Sequence, residues 1–126
     1  MAANSSHESA ENYLEAILVL SQRLPVVRSI DIANYLHYSK PSVSVAMKNL
    51  RNNHHITMSD AGFITLTESG REIAETIYER HTFFSNWLIS LGVDETIATD
   101  DACRLEHYIS KESFDAITKF VAKASK

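Results

Sequence analysis

The chain has 126 residues, 44% of them hydrophobic and 22% charged, and carries a net charge of −4 at pH 7. This balance is typical of one soluble globular domain, or of a small domain with an extension. No apolar run approaches the roughly 20 residues of a membrane span, and no basic stretch precedes an apolar one as in a secretion signal. The single cysteine excludes an internal disulfide, so we expect a cytoplasmic protein without membrane contact.

The negative net charge argues mildly against nucleic-acid binding, but the charge is unevenly distributed. Residues 26–58 contain four basic side chains and one acidic one, whereas the segments on either side are acidic. A local basic segment can bind phosphate while the remainder of the chain stays acidic. Composition therefore leaves nucleic-acid binding open.

The first third of the chain predicts two helices. Apolar residues at helical spacing indicate a first helix over about residues 9–23, which Pro25 ends. Ser29 is predicted to cap a short second helix. Its inner face is expected to carry Ile30, Ala33 and Leu36.

A third helix follows in the segment SKPSVSVAMKNLRNN. Ser39 is a suitable N-cap, and Pro41 suits the first helical turn. The spacing predicts an apolar stripe of Val43, Ala46, Met47 and Leu50, and an outward face of Ser42, Ser44, Lys48 and Arg51. Two short helices joined by a brief turn describe a helix-turn-helix.

The next segment, HITMSDAGFITLT, predicts a small two-stranded hairpin around an Asp/Gly-containing turn. A hairpin directly after a recognition helix is a wing. Residues 1–66 are therefore predicted to form a winged helix-turn-helix domain that binds DNA.

Residues 67–126 predict an all-helical segment. Thr67 opens a long helix that ends near Gly92, a fifth helix runs from Asp94 or Asp100 to Ile109, and a sixth from Ser110 to about Lys123. Apolar stripes are expected at residues 98, 102, 105 and 109 and at residues 114, 117 and 121. These helices cannot bury all their apolar surface within one subunit, so we expect a homodimer.

The segment DACRLEHYIS contains the sharpest chemical pattern. Cys103, Glu106 and His107 stand at i, i+3 and i+4, on a side of the helix distinct from its apolar stripe. Thiolate, carboxylate and imidazole form a mixed ligand set for a transition metal. The alternative is a buried thiol beside a solvated Glu–His pair.

Two further positions are candidate ligands. His81 lies on the apolar face of the long helix, where a histidine is more often a core residue than a ligand. Asn12 and Glu15 stand at i and i+3 on the first helix, where they could equally form a solvated polar face.

Five motifs in this order resemble the diphtheria-toxin-repressor family of iron- and manganese-dependent transcriptional regulators. They extend from Glu11 to about Phe120 and read ENYLEAI, SKPSVSVAMKNL, LTESG, ERH and DACRLEHYIS. The resemblance implies a mainly α fold, with a winged helix-turn-helix and a small two-stranded wing followed by an all-helical metal-binding and dimerisation segment.

The resemblance also implies a ligand set. Cys103, Glu106 and His107 match ligand positions of the fifth helix, and Cys103 is typical of the iron-responsive branch. His81 matches a metal-binding histidine, and Glu15 matches a ligand of the manganese-responsive branch.

Three positions depart from the family pattern. Asn12 stands where the iron branch has Met and the manganese branch has Asp, although its carbonyl oxygen can still bind a metal. Ser85 and Thr99 replace a Glu and a His of the ancillary iron site, so a second site of that type is not expected.

These implications describe a metal-activated, sequence-specific transcriptional repressor that controls metal homeostasis and is not an enzyme. The thiolate favours Fe(II), with Mn(II) a close alternative, and Zn(II), Co(II) or Ni(II) as metals that bind in vitro. A homodimer would bind a palindromic operator in double-stranded DNA. The predicted DNA contacts are Arg28, Ser39, Pro41, Ser42, Ser44, Lys48 and Arg51.

Three other readings stay open at this point. A winged-helix regulator could sense oxidants through Cys103, or a small ligand, without metal. A metalloenzyme could use the Cys/Glu/His cluster, although the chain offers no obvious water-activating base besides the ligands. A winged helix that has lost DNA binding could serve protein interaction.

Overall fold

The computed structural model describes residues 2–124, with the side chains described from residue 9 onward. The described chain forms helices and one antiparallel hairpin, which confirms the predicted mainly α fold with a two-stranded sheet. None of the described helices is both long and apolar enough to span a bilayer. The elements are α1 (Ala2–Arg23), α2 (Ser29–Leu36), α3 (Lys40–Asn52), β1 (Ile56–Met58), β2 (Ile64–Leu66), α4 (Glu68–Ser90), α5 (Glu95–Leu105) and α6 (Lys111–Ala124).

The chain divides into two compact units, Met1–Thr76 and Ile77–Lys126. The first unit contains α1, α2, α3, the hairpin and the first turns of α4; the second contains the remainder of α4 with α5 and α6. The predicted domain boundary between residues 66 and 67 stays a prediction.

The start of α2 differs from the prediction. Arg28, rather than Ser29, is the N-cap, and its backbone N–H donates to the Asp31 carboxylate at 2.9 Å. Ile32 and Ala33 form the buried side of the helix, whereas Ile30 is 39% exposed. The predicted cap and the predicted inner position of Ile30 were therefore wrong, because eight residues are too few for spacing alone to fix the face.

Helix α3 agrees with the prediction at its start and on its inner face. The Ser39 hydroxyl accepts a hydrogen bond from the Ser42 backbone N–H at 3.3 Å, and Pro41 lies in the first turn. Val43, Met47 and Leu50 are buried in the core of the first unit, with Ala46 partly buried beside them. That core also contains α1, α2 and hairpin residues, among them Leu14, Ile17, Ile32, Ile56 and Ile64.

The predicted hairpin is confirmed, with Thr57 paired to Thr65 at the centre of its register. Gly62 has φ +83°, a conformation that side chains rarely adopt, in the turn between the strands. The Ile64 N–H donates to the Val27 carbonyl at 2.8 Å and joins the hairpin to the loop before α2. This bond fixes the wing next to the start of α2.

The second unit has its own aromatic core. Phe84 of α4, Ala102 of α5 and Phe114 of α6 are buried together, with Phe83 and Trp87 packed against them. The Phe84 and Phe114 rings lie 5.7 Å apart in an edge-to-face arrangement. These contacts fix α5 and α6 against the second half of α4.

Helix α5 begins at the first of its two predicted starts and ends earlier than predicted. Asp94 accepts from the Thr96 N–H at 3.1 Å, and the helix ends at Leu105 rather than Ile109. Leu105, predicted to lie in the apolar stripe, is 43% exposed. The buried positions follow a spacing of four residues instead, Ala98, Ala102 and Glu106, because Glu106 keeps helical dihedral angles and its N–H donates to the Ala102 carbonyl.

Candidate metal centre and nucleic-acid interface

The second unit brings three predicted ligands together around the end of α5. Cys103 lies in the last turn of the helix, Glu106 is its C-cap, and His107 lies in the turn that follows. One ligand atom from each residue lies within 4.8 Å of the others. Two of the three therefore lie at and beyond the helix end rather than on its face. Their binding of a metal stays a prediction.

Glu106 is the centre of this cluster. Its side chain is 0% exposed, and its Oε2 lies 2.9 Å from Nδ1 of His81 on α4. Its Oε1 lies 3.4 Å from Nε2 of His107. Within the described part of the chain, that Oε1 atom is buried and has no hydrogen-bond partner.

A buried carboxylate oxygen without a partner is costly, because it has lost its water without gaining a donor. A divalent cation would compensate this cost, since it can bind the carboxylate together with the neighbouring imidazoles and thiolate. Oxygen, nitrogen and sulfur ligands in one cluster are the chemistry of a first-row transition metal. The cluster of Cys103, Glu106 and His107 fits such an ion, and His81 lies beside it through its contact with Glu106.

The other predicted ligands belong to the first unit. Asn12 and Glu15 lie one turn apart on α1, and both are half-buried. Each takes part in an interaction with another residue. Their role as ligands remains a prediction from the resemblance.

The two positions that depart from the ancillary iron site lie in the second unit. Ser85 has a buried hydroxyl that has no hydrogen-bond partner among the described residues, and Thr99 is exposed. Neither side chain supplies a carboxylate or an imidazole.

Sequence reasoning missed Arg80. Its Nη1 donates hydrogen bonds to the backbone carbonyls of Glu106, at 3.2 Å, and of Ile109, at 3.0 Å. A signal was available in the sequence, because Arg80 stands three and four residues from Ile77 and Phe84, both of them buried. A charged residue at such a position on an amphipathic helix indicates a specific partner.

The predicted DNA-contacting side chains of α3 are all exposed, namely Ser39, Pro41, Ser42, Ser44, Lys48 and Arg51. The two hydroxyls at its start are hydrogen-bonded to each other at 2.8 Å, with Ser39 donating to Ser42. Val45, in the same exposed stretch, is 62% exposed. An exposed valine among serines offers apolar contact to a base, and thymine is the base with a methyl group in the major groove.

Arg28 extends the same unit's basic surface towards the wing. It is exposed, and its guanidinium carbon lies 4.9 Å from the centre of the Phe63 ring. This cation–π contact restrains a long flexible side chain. Phe63 was not predicted to have this role.

Two family models match the chain. The N-terminal DNA binding domain of iron dependent repressors matches residues 6–60, and their metal binding and dimerisation domain matches residues 67–126. The transcriptional regulator MntR of Escherichia coli O6:H1 (strain CFT073) is 34% identical over 116 residues, which are 92% of this chain and 75% of that protein. The chain belongs to the iron-dependent repressor family.

The family of metal-dependent transcriptional regulators predicted from the sequence motifs is thereby confirmed. The relatives that the chain matches are named as transcriptional regulators. The uncharacterised HTH-type regulator MJ0568 of Methanocaldococcus jannaschii is similar over almost its whole length, with 31% identity across 92% of this chain and 94% of that one.

Solved structures of manganese regulators share the fold of this family member. A manganese-dependent transcriptional repressor in complex with manganese superposes with a TM-score of 0.81 at 25% identity, over 90% of this chain and 52% of that one. The manganese regulator SloR gives 0.80 at 26% identity, over 90% and 53%. The chain therefore spans about half the length of these solved relatives. The winged helix-turn-helix and the helical metal-binding segment are confirmed as its architecture.

Proposed function

We propose that this family member is a metal-activated, sequence-specific DNA-binding repressor that controls metal homeostasis. The observation that carries the proposal is the buried carboxylate of Glu106, which lies between two histidines and has one oxygen without a hydrogen-bond donor in the described chain. A divalent cation is the partner that the chemistry of this arrangement favours. The exposed, serine-rich α3 supplies the complementary DNA-binding surface in the same chain.

The proposed ligands in the second unit are His81, Cys103, Glu106 and His107. Glu15 of the first unit, and Asn12 through its carbonyl oxygen, are further proposed ligands on the ground of the family resemblance. A bound divalent cation supplies positive charge that these side chains share. If Glu15 is also a ligand, metal binding and DNA binding are thermodynamically coupled. Each ligand then changes the affinity for the other by the same factor.

The identity of the metal is the finer part of the proposal. Cys103 supplies a thiolate, a softer ligand than carboxylate or imidazole, and this supports Fe(II) over Mn(II). The solved manganese regulators of similar fold support Mn(II) instead. We propose Fe(II) as the physiological metal and Mn(II) as the second candidate, because the donor set belongs to this chain itself.

On DNA, α3 is proposed to enter the major groove with Ser39, Pro41, Ser42 and Ser44 near base edges. Lys48 and Arg51 of the same helix, with Arg28 beside the wing, would contact phosphates. Phosphate contacts supply salt-sensitive affinity without reading sequence. Val45 adds an apolar contact to the readout.

The second unit is proposed to hold two chains together as a homodimer, which would match the symmetry of a palindromic operator. Leu91 and Phe120 are 64% and 63% exposed, although they are large and apolar. Together with Trp87 and Ile117 they line an open groove of ≈ 410 Å³. An exposed apolar groove of this kind is typical of an association surface.

The proposed function is tested by fluorescence anisotropy of the protein with its own upstream DNA, without oxygen. The titrations contain chelator, Fe(II) or Mn(II), and compare the wild-type chain with His107→Ala and with the surface control Glu112→Ala. We expect tight binding only with metal, loss of that response in His107→Ala, and an unchanged response in the control. The half-effective concentrations rank the two metals.

Two results would overturn the proposal. Binding that is equally tight with chelator would favour a regulator that works without metal. If such a regulator senses oxidants, peroxide should change its DNA binding, and Cys103→Ser should abolish that change. An unchanged metal response in His107→Ala would remove that residue from the site.

A further inference from the structure

The predicted ligands Glu106 and His107 lie at the end of α5. The Glu106 N–H still donates to the Ala102 carbonyl at 3.0 Å, whereas the Glu106 carbonyl lies past the last turn of the helix. The helix ends at Leu105, and residues 106–108 form a turn. The last four carbonyl groups of any helix lack partners within that helix. A ligand at such a place needs another element to fix its backbone, because a metal site tolerates little error in the position of its ligands.

Arg80 of α4 is the residue that fixes this turn. One guanidinium nitrogen, Nη1, donates to the carbonyl of Glu106 at 3.2 Å and to that of Ile109 at 3.0 Å. The two carbonyls stand on either side of His107 in the chain. The turn that carries the ligands is thus held at both ends by one cation, and hydrogen bonds from a charged donor are about twice as strong as neutral ones.

The guanidinium is itself held in place. Its central carbon lies 5.6 Å from the centre of the Phe114 ring, and Phe114 belongs to the buried core of the second unit. The neighbouring residue on α4, His81, contacts the Glu106 carboxylate at 2.9 Å. Two consecutive residues of α4 therefore hold Glu106, one at its backbone and the other at its side chain.

The arginine carries a cost of its own at this place. The Arg80 Nε atom is buried and has no hydrogen-bond partner among the described residues, which costs folding free energy. An apolar side chain would avoid that cost but would leave the Glu106 and Ile109 carbonyls without the Arg80 donor. The arginine is therefore explained by the turn that it holds.

We propose that Arg80 is a positioning residue of the metal site: it fixes the turn through which Glu106 and His107 face the metal, without being a ligand. The inference rests on the proposed function, since it assigns Arg80 a role towards the same site. The loss of a residue that orients metal ligands without binding the metal typically lowers metal affinity about 10- to 100-fold.

The test compares Arg80→Gln and Arg80→Lys with the control Arg104→Gln. Arg104 also lies in the second unit, but it is exposed and pairs with Asp101 at 3.1 Å on the surface of α5. Co(II) serves as the probe because its absorption reports both geometry and bonding to the Cys103 thiolate. Co(II) affinity and spectrum, thermal unfolding of the metal-free chains, and amide hydrogen exchange at residues 106–110 are measured for each.

We expect Arg80→Gln to lower Co(II) affinity by about 10-fold or more, to alter the spectrum, and to speed amide exchange in the turn before any metal is added. Arg80→Lys should recover part of the affinity, since an ammonium group can also donate to both carbonyls. Arg104→Gln should match the wild-type chain throughout.

A purely structural role would give a different pattern. If Arg80→Gln lowers the unfolding temperature but binds Co(II) with wild-type affinity and spectrum, the positioning role is wrong. If wild-type protein binds no Co(II), the proposed function itself fails. If amide hydrogen exchange in the turn were still faster in metal-free Arg80→Gln, Arg80 would be a residue that only stabilises the turn.

Discussion

Glu106 combines full burial with a charge, and proteins tolerate this combination only when the charge is compensated. The Nδ1 contact of His81 at 2.9 Å compensates one carboxylate oxygen, whereas the other has no hydrogen-bond donor in the described chain. The folded chain thus carries a cost at one residue that metal binding would remove. Strain of this kind is typical of functional sites, where stability is lost in favour of activity.

This cost leads to a prediction with effects of opposite sign. Glu106→Gln keeps the shape of the side chain and its hydrogen bond to His81 but removes the buried charge. In chelator, its free energy of unfolding should be unchanged or raised by up to about 2 kcal/mol. Its affinity for Fe(II) or Mn(II) should fall at least about tenfold, because an amide is a poorer ligand than a carboxylate. Denaturant unfolding and metal titration measure the two effects.

The exposed Glu112 of α6 provides the matched control, and Glu112→Gln should change neither quantity. If Glu106→Gln instead destabilised the metal-free chain and kept its metal affinity, Glu106 would be a structural residue.

At the scale of elements, the start of α3 combines two roles in one residue. Ser39 caps the helix by accepting the Ser42 N–H, and its side chain is exposed where DNA is proposed to bind. A cap stabilises a helix whether its side chain is neutral or negative. Contact with phosphate, by contrast, is sensitive to charge. The two roles can therefore be separated by substitution.

Ser39→Ala should lower the free energy of unfolding by about 1 kcal/mol, whereas Ser39→Asp should retain most of the stability. For DNA the order reverses, and Ser39→Asp should bind operator more weakly than Ser39→Ala because it adds negative charge at the interface. Thermal unfolding measures the stability of both variants, and fluorescence anisotropy at two salt concentrations measures their affinity for operator DNA. Ser113→Asp, which adds the same charge to exposed α6, should bind DNA normally; equal weakening by it would contradict the interface.

Local signals explain which elements could be predicted. The cap at Ser39, Pro25 after α1 and the turn with Gly62 act over a few residues, so the sequence displays them directly. The short α2 was predicted with the wrong cap, because its N-cap Arg28 has no capping side-chain oxygen and bonds to Asp31 through its backbone N–H instead.

Contacts between distant residues explain what could not be predicted of the candidate site. The ligand spacing of Cys103, Glu106 and His107 was visible along the chain, but the end of α5 between them was not. Arg80 meets Glu106 across 26 positions of sequence, and only packing shows that contact. Spacing therefore predicted the candidate ligands of the fifth helix but not the contact of Arg80 with Glu106.

At the scale of the whole molecule, the basic segment at residues 26–58 and the two most exposed large apolar side chains of the described chain lie in different units. Four basic side chains against one acidic one stand within residues 26–58, in the first unit. Leu91 and Phe120, both more than 60% exposed, belong to the second. This division agrees with the two matched family models, one for DNA binding and one for metal binding and dimerisation.

Phe120→Asp should therefore shift the chain from dimer to monomer at micromolar concentration, because it places a charge in the proposed apolar interface. Sedimentation velocity measures the change, and Phe120→Leu, which keeps an apolar side chain, should remain dimeric. Operator affinity of the aspartate variant should fall at least about tenfold, since one bound half-site no longer recruits the other. A dimeric Phe120→Asp would place the interface elsewhere on the molecule.

The position of the single cysteine also allows this part of the protein to be probed selectively with thiol reagents. Cys103 is the single thiol among 126 residues, and it is half-buried within the ligand cluster. Any thiol-specific reagent must consequently report on that place alone, with a stoichiometry of one per chain and no background from other sulfhydryls. Because a metal bound to the Cys103 thiolate would protect it, the rate at which a chromogenic disulfide reagent reacts with Cys103 would report metal binding in the wild-type chain, without an introduced probe.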